Sequence, residues 1–171
     1  MRLLLILLFL QSLTWATIKN ADDSEYINEN GDTFTSGKIT VERSGDTYRS
    51  SGKAYKVKQS KDSFKIYDGE KLLWKIKLYD DKLKISNNNE NSLPWQIKHK
   101  GDKAKIYDSD EVEQGRVYFE DKTITIKDKN KKSLYKIKAD KLVLAPGVFL
   151  IKDIPLAQKI IIYSELSLLK K

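Results

Sequence analysis

Chemistry needs side chains that ionise, attack or ligate in a shared geometry, and this chain of 171 residues offers few such patterns. Its single histidine, His99, stands in the lysine-rich run WQIKHK (95–100), and the absence of cysteine leaves it no thiol to activate. No G-x-S-x-G turn is present to raise a serine nucleophile toward it. His99 therefore reads as a surface residue. The carboxylates Asp108, Asp110, Glu111 and Glu113 crowd one short segment and are oxygen ligands of the kind calcium takes. They lack the spaced glycine of a known calcium loop, and they fall between strand-like stretches where turns need such residues anyway. Nothing in the sequence sets two carboxylates across a cleft, as glycoside hydrolysis requires. The expectation is a non-enzymatic protein without metal or cofactor, the alternative being an enzyme on an unrecognised all-β scaffold.

The abundant chemistry is cationic. Lys and Arg number 32 against 24 Asp and Glu, a formal net charge of +8. The excess is uneven: residues 38–171 carry +11, residues 17–37 carry −4 and Arg2 adds +1, which together give the +8. Seven lysines in the basic part, Lys75, Lys77, Lys84, Lys98, Lys105, Lys136 and Lys138, alternate with apolar residues and so fall on one phase of their segments. An outward lysine face keeps a soluble sheet protein from aggregating. An excess this large also attracts anionic lipid headgroups, acidic envelope polymers or polysaccharide. Nucleic acid is not the expected partner, since no RNP, KH or helix-turn-helix pattern appears.

The elements that must position these lysines repeat. Four stretches of fourteen residues align without gaps: YKVKQSKDSFKIYD (55–68), WKIKLYDDKLKISN (74–87), WQIKHKGDKAKIYD (95–108) and GRVYFEDKTITIKD (115–128). A fifth, YKIKADKLVLAPG (135–147), starts on time and then diverges. One column is invariant (Ile66, Ile85, Ile106, Ile126), and a turn-forming residue closes each unit (Asp68, Asn87, Asp108, Asp128). Within a unit, Trp74, Ile76 and Leu78 alternate with Lys75, Lys77 and Tyr79, then Asp80-Asp81 turn the chain into a second alternating run. That is a β-hairpin with an apolar face and a basic face. Ile39 and Val41 supply an earlier strand, and Val148 to Ile151 a last short one.

The end of the chain changes period. After Asp153-Ile154-Pro155, good helix-start residues, residues 156–169 are apolar around nearly the whole helical circumference. A helix apolar on every side wants to be enclosed. Antiparallel strands with one apolar face each, together with such a helix, have a joint solution: a hairpin-repeat β-barrel of about 10–12 strands closed around the C-terminal helix.

The N-terminus reads as a secretory signal peptide: Arg2, the apolar run Leu3 to Leu10, then Thr14 and Ala16 as small residues before a cleavage site. The domain plan is a signal peptide over 1–16, an acidic polar spacer over 17–37 and the barrel over 38–171. The mature protein is expected in the periplasm, on the envelope or secreted.

Serial hairpins of the form aromatic-Lys-Ile-Lys, turn, Leu-Lys-Ile-x-Asp, ending in an apolar helix, resemble the tubby C-terminal-like superfamily, the LURP-one-related branch being nearest. The resemblance covers residues 38–170. It implies a twelve-stranded barrel around a central helix, in a superfamily where some members bind phosphoinositides through basic side chains and others are phospholipid scramblases. The export signal departs from a cytoplasmic phosphoinositide role, and no binding motif of the family maps onto residues here. The functional expectation is an exported binding or interaction module using the outward lysines on an anionic lipid or envelope surface. The alternative within the same class is a structural envelope protein that contacts other proteins.

Overall fold

The computed structural model describes residues 18–20, 22, 25–90 and 92–169. The expected signal peptide over 1–16, with cleavage after Ala16, lies outside the described residues. Fourteen strands follow in chain order: β1 (Ile18–Asn20), β2 (Glu25–Asn30), β3 (Thr33–Ser36), β4 (Ile39–Ser44), β5 (Thr47–Ser50), β6 (Lys53–Ser60) and β7 (Ser63–Asp68). The second half is β8 (Lys71–Leu78), β9 (Lys82–Ser86), β10 (Trp95–Lys100), β11 (Lys103–Tyr107), β12 (Glu113–Glu120), β13 (Thr123–Asp128) and β14 (Ser133–Lys138). Every strand pairs antiparallel with its chain neighbour, and β1 pairs with β14, so the sheet closes as an up-and-down barrel. A 3-10 helix (Ala145–Leu150) and one α-helix, α1 (Leu156–Leu168), complete the chain.

The hairpin phase is as the alternation predicts. Ile66, Ile85, Ile106 and Ile126 are all fully buried, and each is flanked by outward positions. Cross-strand register aligns these inward residues in rows, such as Leu83, Ile97 and Ile106 on β9, β10 and β11. Burying one such side chain contributes about 1.5–3 kcal/mol.

The turns divide between two rims. The upper rim holds the β2–β3, β4–β5, β6–β7 and β8–β9 turns, and later hairpins continue the pattern. There the carbonyls of Asp32, Asp46, Asp62 and Asp81 accept the amides of Arg43, Val57, Leu78 and His99 at 2.7–2.8 Å, stapling each hairpin to the next. On the lower rim the closing aspartates of two repeats do the same job as each other. Asp108 Oδ1 accepts the amides of Asp110 and Val112 at 3.0 and 2.9 Å, and Asp128 Oδ1 those of Asn130 and Lys132 at 3.0 and 2.9 Å. The repeat column of turn residues thus reflects backbone capping.

Three expectations are corrected. Residues 17–37 are not a spacer outside the barrel, because β1, β2 and β3 lie within them and bury Ile18, Ile27 and Phe34. These strands raise the count to fourteen from the expected ten to twelve. Val148 to Ile151 is no strand: residues 145–150 form the 3-10 helix and are buried throughout. Pro146 lacks the amide a ladder needs, and a closed barrel has no free edge to receive another strand.

The interior is filled by the chain's own end. Leaving β14 at the upper rim, where the Ala139 amide meets the Lys122 carbonyl at 3.0 Å, the chain turns into the lumen. The 3-10 helix descends past Ile97 and Ile106, beside Gly147, and brings Leu150 to Gly115 near the lower rim. Residues 151–155 reverse direction, and α1 climbs back with Ile160, Ile161, Ile162 and Leu166 fully buried.

Gly115 and Gly147 are glycines at which wall and filling meet. A Cβ at Gly115 would overlap the Lys127 carbonyl oxygen and sit 2.8 Å from Leu150 Cδ1, whereas one at Gly147 would meet only side-chain tips of Ile97 and Ile106, at 2.9–3.3 Å. Gly115→Ala is expected to cost about 3 kcal/mol or more, and Gly147→Ala about 1–2 kcal/mol. Urea unfolding midpoints check this; equal losses at the two sites would contradict the packing described.

Candidate functional site

The outward lysines concentrate on one side of the barrel. On their outward phase strands β6–β11 carry one lysine on β7 and two each on β6, β8, β9, β10 and β11, with no carboxylate among them; Lys53, Asp68 and Lys71 fall on the inward phase at the lower rim. Strands β2–β5 carry Glu25, Glu29 and Glu42 against Arg43 and Arg49. One stretch of wall is therefore strongly basic, and its β2–β5 flank is close to neutral.

Register places many of these cations directly opposite one another. Lys58, Lys65 and Lys75 align across β6, β7 and β8, and Lys77 faces Lys84. Lys82 faces Lys98, which faces Lys105, which faces Arg116, which faces Lys127. Opposed like charges destabilise a sheet, so the wall needs compensation. Part comes from aromatic rings on the same face: Lys58 lies 4.9 Å from the Tyr67 ring, Lys98 5.0 Å from Tyr107 and Lys127 5.0 Å from Tyr118. Glu113 supplies the rest locally, bridging Lys105 at 2.9 Å and Arg116. The bond from Arg116, followed by that from Lys105, holds the Glu113 carboxyl below the usual range, and Glu113 in turn holds both cations up. Lys75 is pushed down, by partial desolvation first and then by repulsion from Lys77 and Lys65.

Of the seven lysines singled out by sequence, Lys75, Lys77, Lys84, Lys98 and Lys105 share this wall. Lys136 and Lys138 point outward from β14, across the barrel seam, where Lys136 faces Lys19 and Thr125. Sequence reasoning missed Lys82, Arg116 and Lys127. Their outward phase was readable, but which cations stand opposite one another depends on register. His99 is exposed on β10, and Asp108 is occupied in its turn, with Gln114 Nε2 also donating to Oδ2 at 2.5 Å. Among the described residues no group of three or more His, Cys, Asp or Glu is placed to hold a metal ion.

A second polar cluster lies inside. Glu165 of α1 is buried beneath the upper rim, where Tyr48 donates to Oε1 at 2.6 Å and Gln59 to Oε2 at 2.5 Å. Arg43 Nε stands 3.9 Å from Oε1, and Ser164 Oγ shares the Tyr48 hydroxyl at 3.1 Å. Burial, then the bond to Glu165, pushes the Tyr48 hydroxyl well above its ordinary pKa, so it stays a donor. A hollow of about 380 Å³ opens above, lined by Arg43, Asp46, Lys58 and Gln59 among others, but Glu165 itself is only 1% exposed. Both its oxygens are engaged by the barrel. The arrangement fastens the helix to the wall. Trp74 and Trp95 act alike lower down, their indole N–H groups donating to Gln158 at 2.6 Å and Asp153 at 3.0 Å.

Comparisons with protein-family models, with curated proteins and with solved structures each return no match to this chain.

If the inner cluster is a fastening, Tyr48→Phe leaves a buried carboxylate short of a donor and is expected to cost about 1–3 kcal/mol. Tyr67→Phe, on the outer face, is expected to stay within about 0.5 kcal/mol. Chemical denaturation distinguishes them, and a neutral Tyr48→Phe would contradict the role given to Tyr48.

Proposed function

We propose that this is an exported, non-enzymatic binding module that holds an anionic envelope ligand against the outer wall of β6–β11. The observation that carries the reading is the one-sided wall, eleven outward lysines and no outward carboxylate on six adjacent strands. Solubility asks for charges of both signs interspersed, not for one sign gathered on one side. The cation–aromatic contacts support the reading too, since they seat ammonium groups along the wall and limit the freedom lost when a ligand binds. Export fits the fold: β1 begins at Ile18, so cleavage after Ala16 would leave a mature chain starting at Thr17 with every strand intact. Kinship with tubby-like barrels belongs to the same proposal. A meander of hairpins closed on an internal C-terminal helix supports it, while fourteen strands in place of twelve set this chain apart.

Two measurements test the reading together. Intact mass of the protein recovered from outside the cytoplasm is expected to begin at Thr17; an intact Met1 there would contradict cleavage. Retention of that protein on a sulfated or phosphorylated matrix is expected to fall steeply between about 50 and 200 mM salt, as screening and counterion release dictate. Retention indifferent to salt, or equal on an uncharged matrix, would contradict the anionic-ligand reading.

A further inference from the structure

We infer that the ligand of the basic wall is a linear polyanion lying across the strands, along the file Lys82, Lys98, Lys105, Arg116 and Lys127, which starts on the wall at β9 and runs past its edge onto β12 and β13. This rests on the anionic-ligand reading above and narrows it to a polymer in place of a bilayer. The file is a product of register: each of the five is the direct cross-strand partner of the next, on β9 through β13. Neighbouring strands lie about 4.8 Å apart, so four steps set five cationic heads over about 19 Å. A sheet that needed cations only for solubility would avoid opposing them, because each like-charged pair destabilises. Here four such pairs follow in succession. A chain bearing anions at short, regular intervals relieves all four at once.

The heads are also held in place. Lys82 lies 5.1 Å from the Tyr79 ring, Lys98 5.0 Å from Tyr107 and Lys127 5.0 Å from Tyr118, while Lys105 and Arg116 share Glu113. Glu113 is the one carboxylate seated on the file among the described residues, so four positive charges remain in net. Tyrosine rings between cations suit a polymer whose anions are joined by less polar linkages, which lie against the rings as the anions meet the ammonium groups.

A bilayer fits less well. Five of fourteen strands span about 100° of a closed wall, which a flexible chain follows and a flat surface meets only along a strip. Membrane docking by surface charge is strengthened by apolar side chains that enter the interface. Of the exposed large hydrophobic residues among those described, Leu93 and Val112 stand on lower-rim loops beside Glu90, Asp110 and Glu111, whose charge anionic lipid repels, and Tyr79 is covered by Lys82 and Lys84.

The test uses the mature chain. It is titrated with polyphosphate of graded length, with polygalacturonate, and with phosphatidylglycerol vesicles at one salt concentration. Affinity is expected to climb with polyphosphate length until the polymer spans about 19 Å and then to level, as linked contacts do once the site is filled. Lys98→Ala combined with Lys127→Ala is expected to weaken polymer binding about tenfold or more. Lys56→Ala with Lys77→Ala, which removes the same charge from the wall away from the file, is expected to weaken it about threefold or less. Both pairs lie on the outer surface, and unchanged melting curves verify that folding is intact. Equal losses from the two pairs, or vesicles bound as tightly as polymer, would overturn the file while leaving an anionic ligand for the wall. No binding to any of the three probes would overturn both readings.

Discussion

Closing fourteen strands into a barrel creates a lumen wider than wall side chains alone can fill, and the rest of the structure answers to that constraint. About eight strands give an interior that side chains close, while sixteen or more leave a water channel. This chain lies between, and fills the space with its own end: the 3-10 helix runs down and α1 runs back. An apolar helix entering an apolar lumen releases water from both surfaces. The few polar groups it carries each meet a partner. Gln158 meets Trp74, Lys159 donates to the Phe149 carbonyl at 3.2 Å, and Glu165 meets Tyr48 and Gln59. Without those partners each buried polar group would cost about 1–3 kcal/mol.

The barrel seam shows the same economy of means. β1 contributes three residues between β2 and β14, too few to hold the closure through its ladder alone. Aromatic side chains reinforce it: Tyr26 of β2 stacks on Tyr135 of β14 at 4.3 Å, and Phe149 of the 3-10 helix meets both rings at 6.1 Å. Tyr163 of α1 completes the cluster 5.5 Å from Phe149, its hydroxyl pushed up to about 12 by burial and then by the nearby Glu29. Filling and closure are thus a single packing event. Because strand side chains alternate, the outer wall carries its charge independently of this core.

Much of this was legible in the residues. Period two in the repeats gave the inward isoleucines and outward lysines, and the loss of that period after Pro155 gave an enclosed helix, found at Leu156–Leu168. The first three strands were hidden because their apolar signal is sparse: Ile18, Ile27 and Phe34 stand among Asp, Glu and Asn that serve outer faces and turns. Pro146 and Gly147 signalled a break, yet only the closed sheet shows why Val148 to Ile151 had no strand to pair with. The fastening of Glu165 by Tyr48 joins residues 117 positions apart, which no local pattern encodes. The file from Lys82 to Lys127 was invisible for a related reason: outward phase is a property of one strand, whereas opposition of charges is a property of register between strands.

The lumen must be filled by the C-terminal segment for the wall to close. The direct measurement is the thermal unfolding of a chain ended at Asp153, which keeps all fourteen strands and the 3-10 helix but removes α1. Enclosing even four large side chains of α1 contributes about 6–12 kcal/mol, comparable with the whole net stability of a domain. The truncated chain is expected to aggregate or to show no cooperative transition. A soluble product that melts cooperatively near the temperature of the full chain would contradict the account, and would make α1 a peripheral addition to a barrel that closes without it.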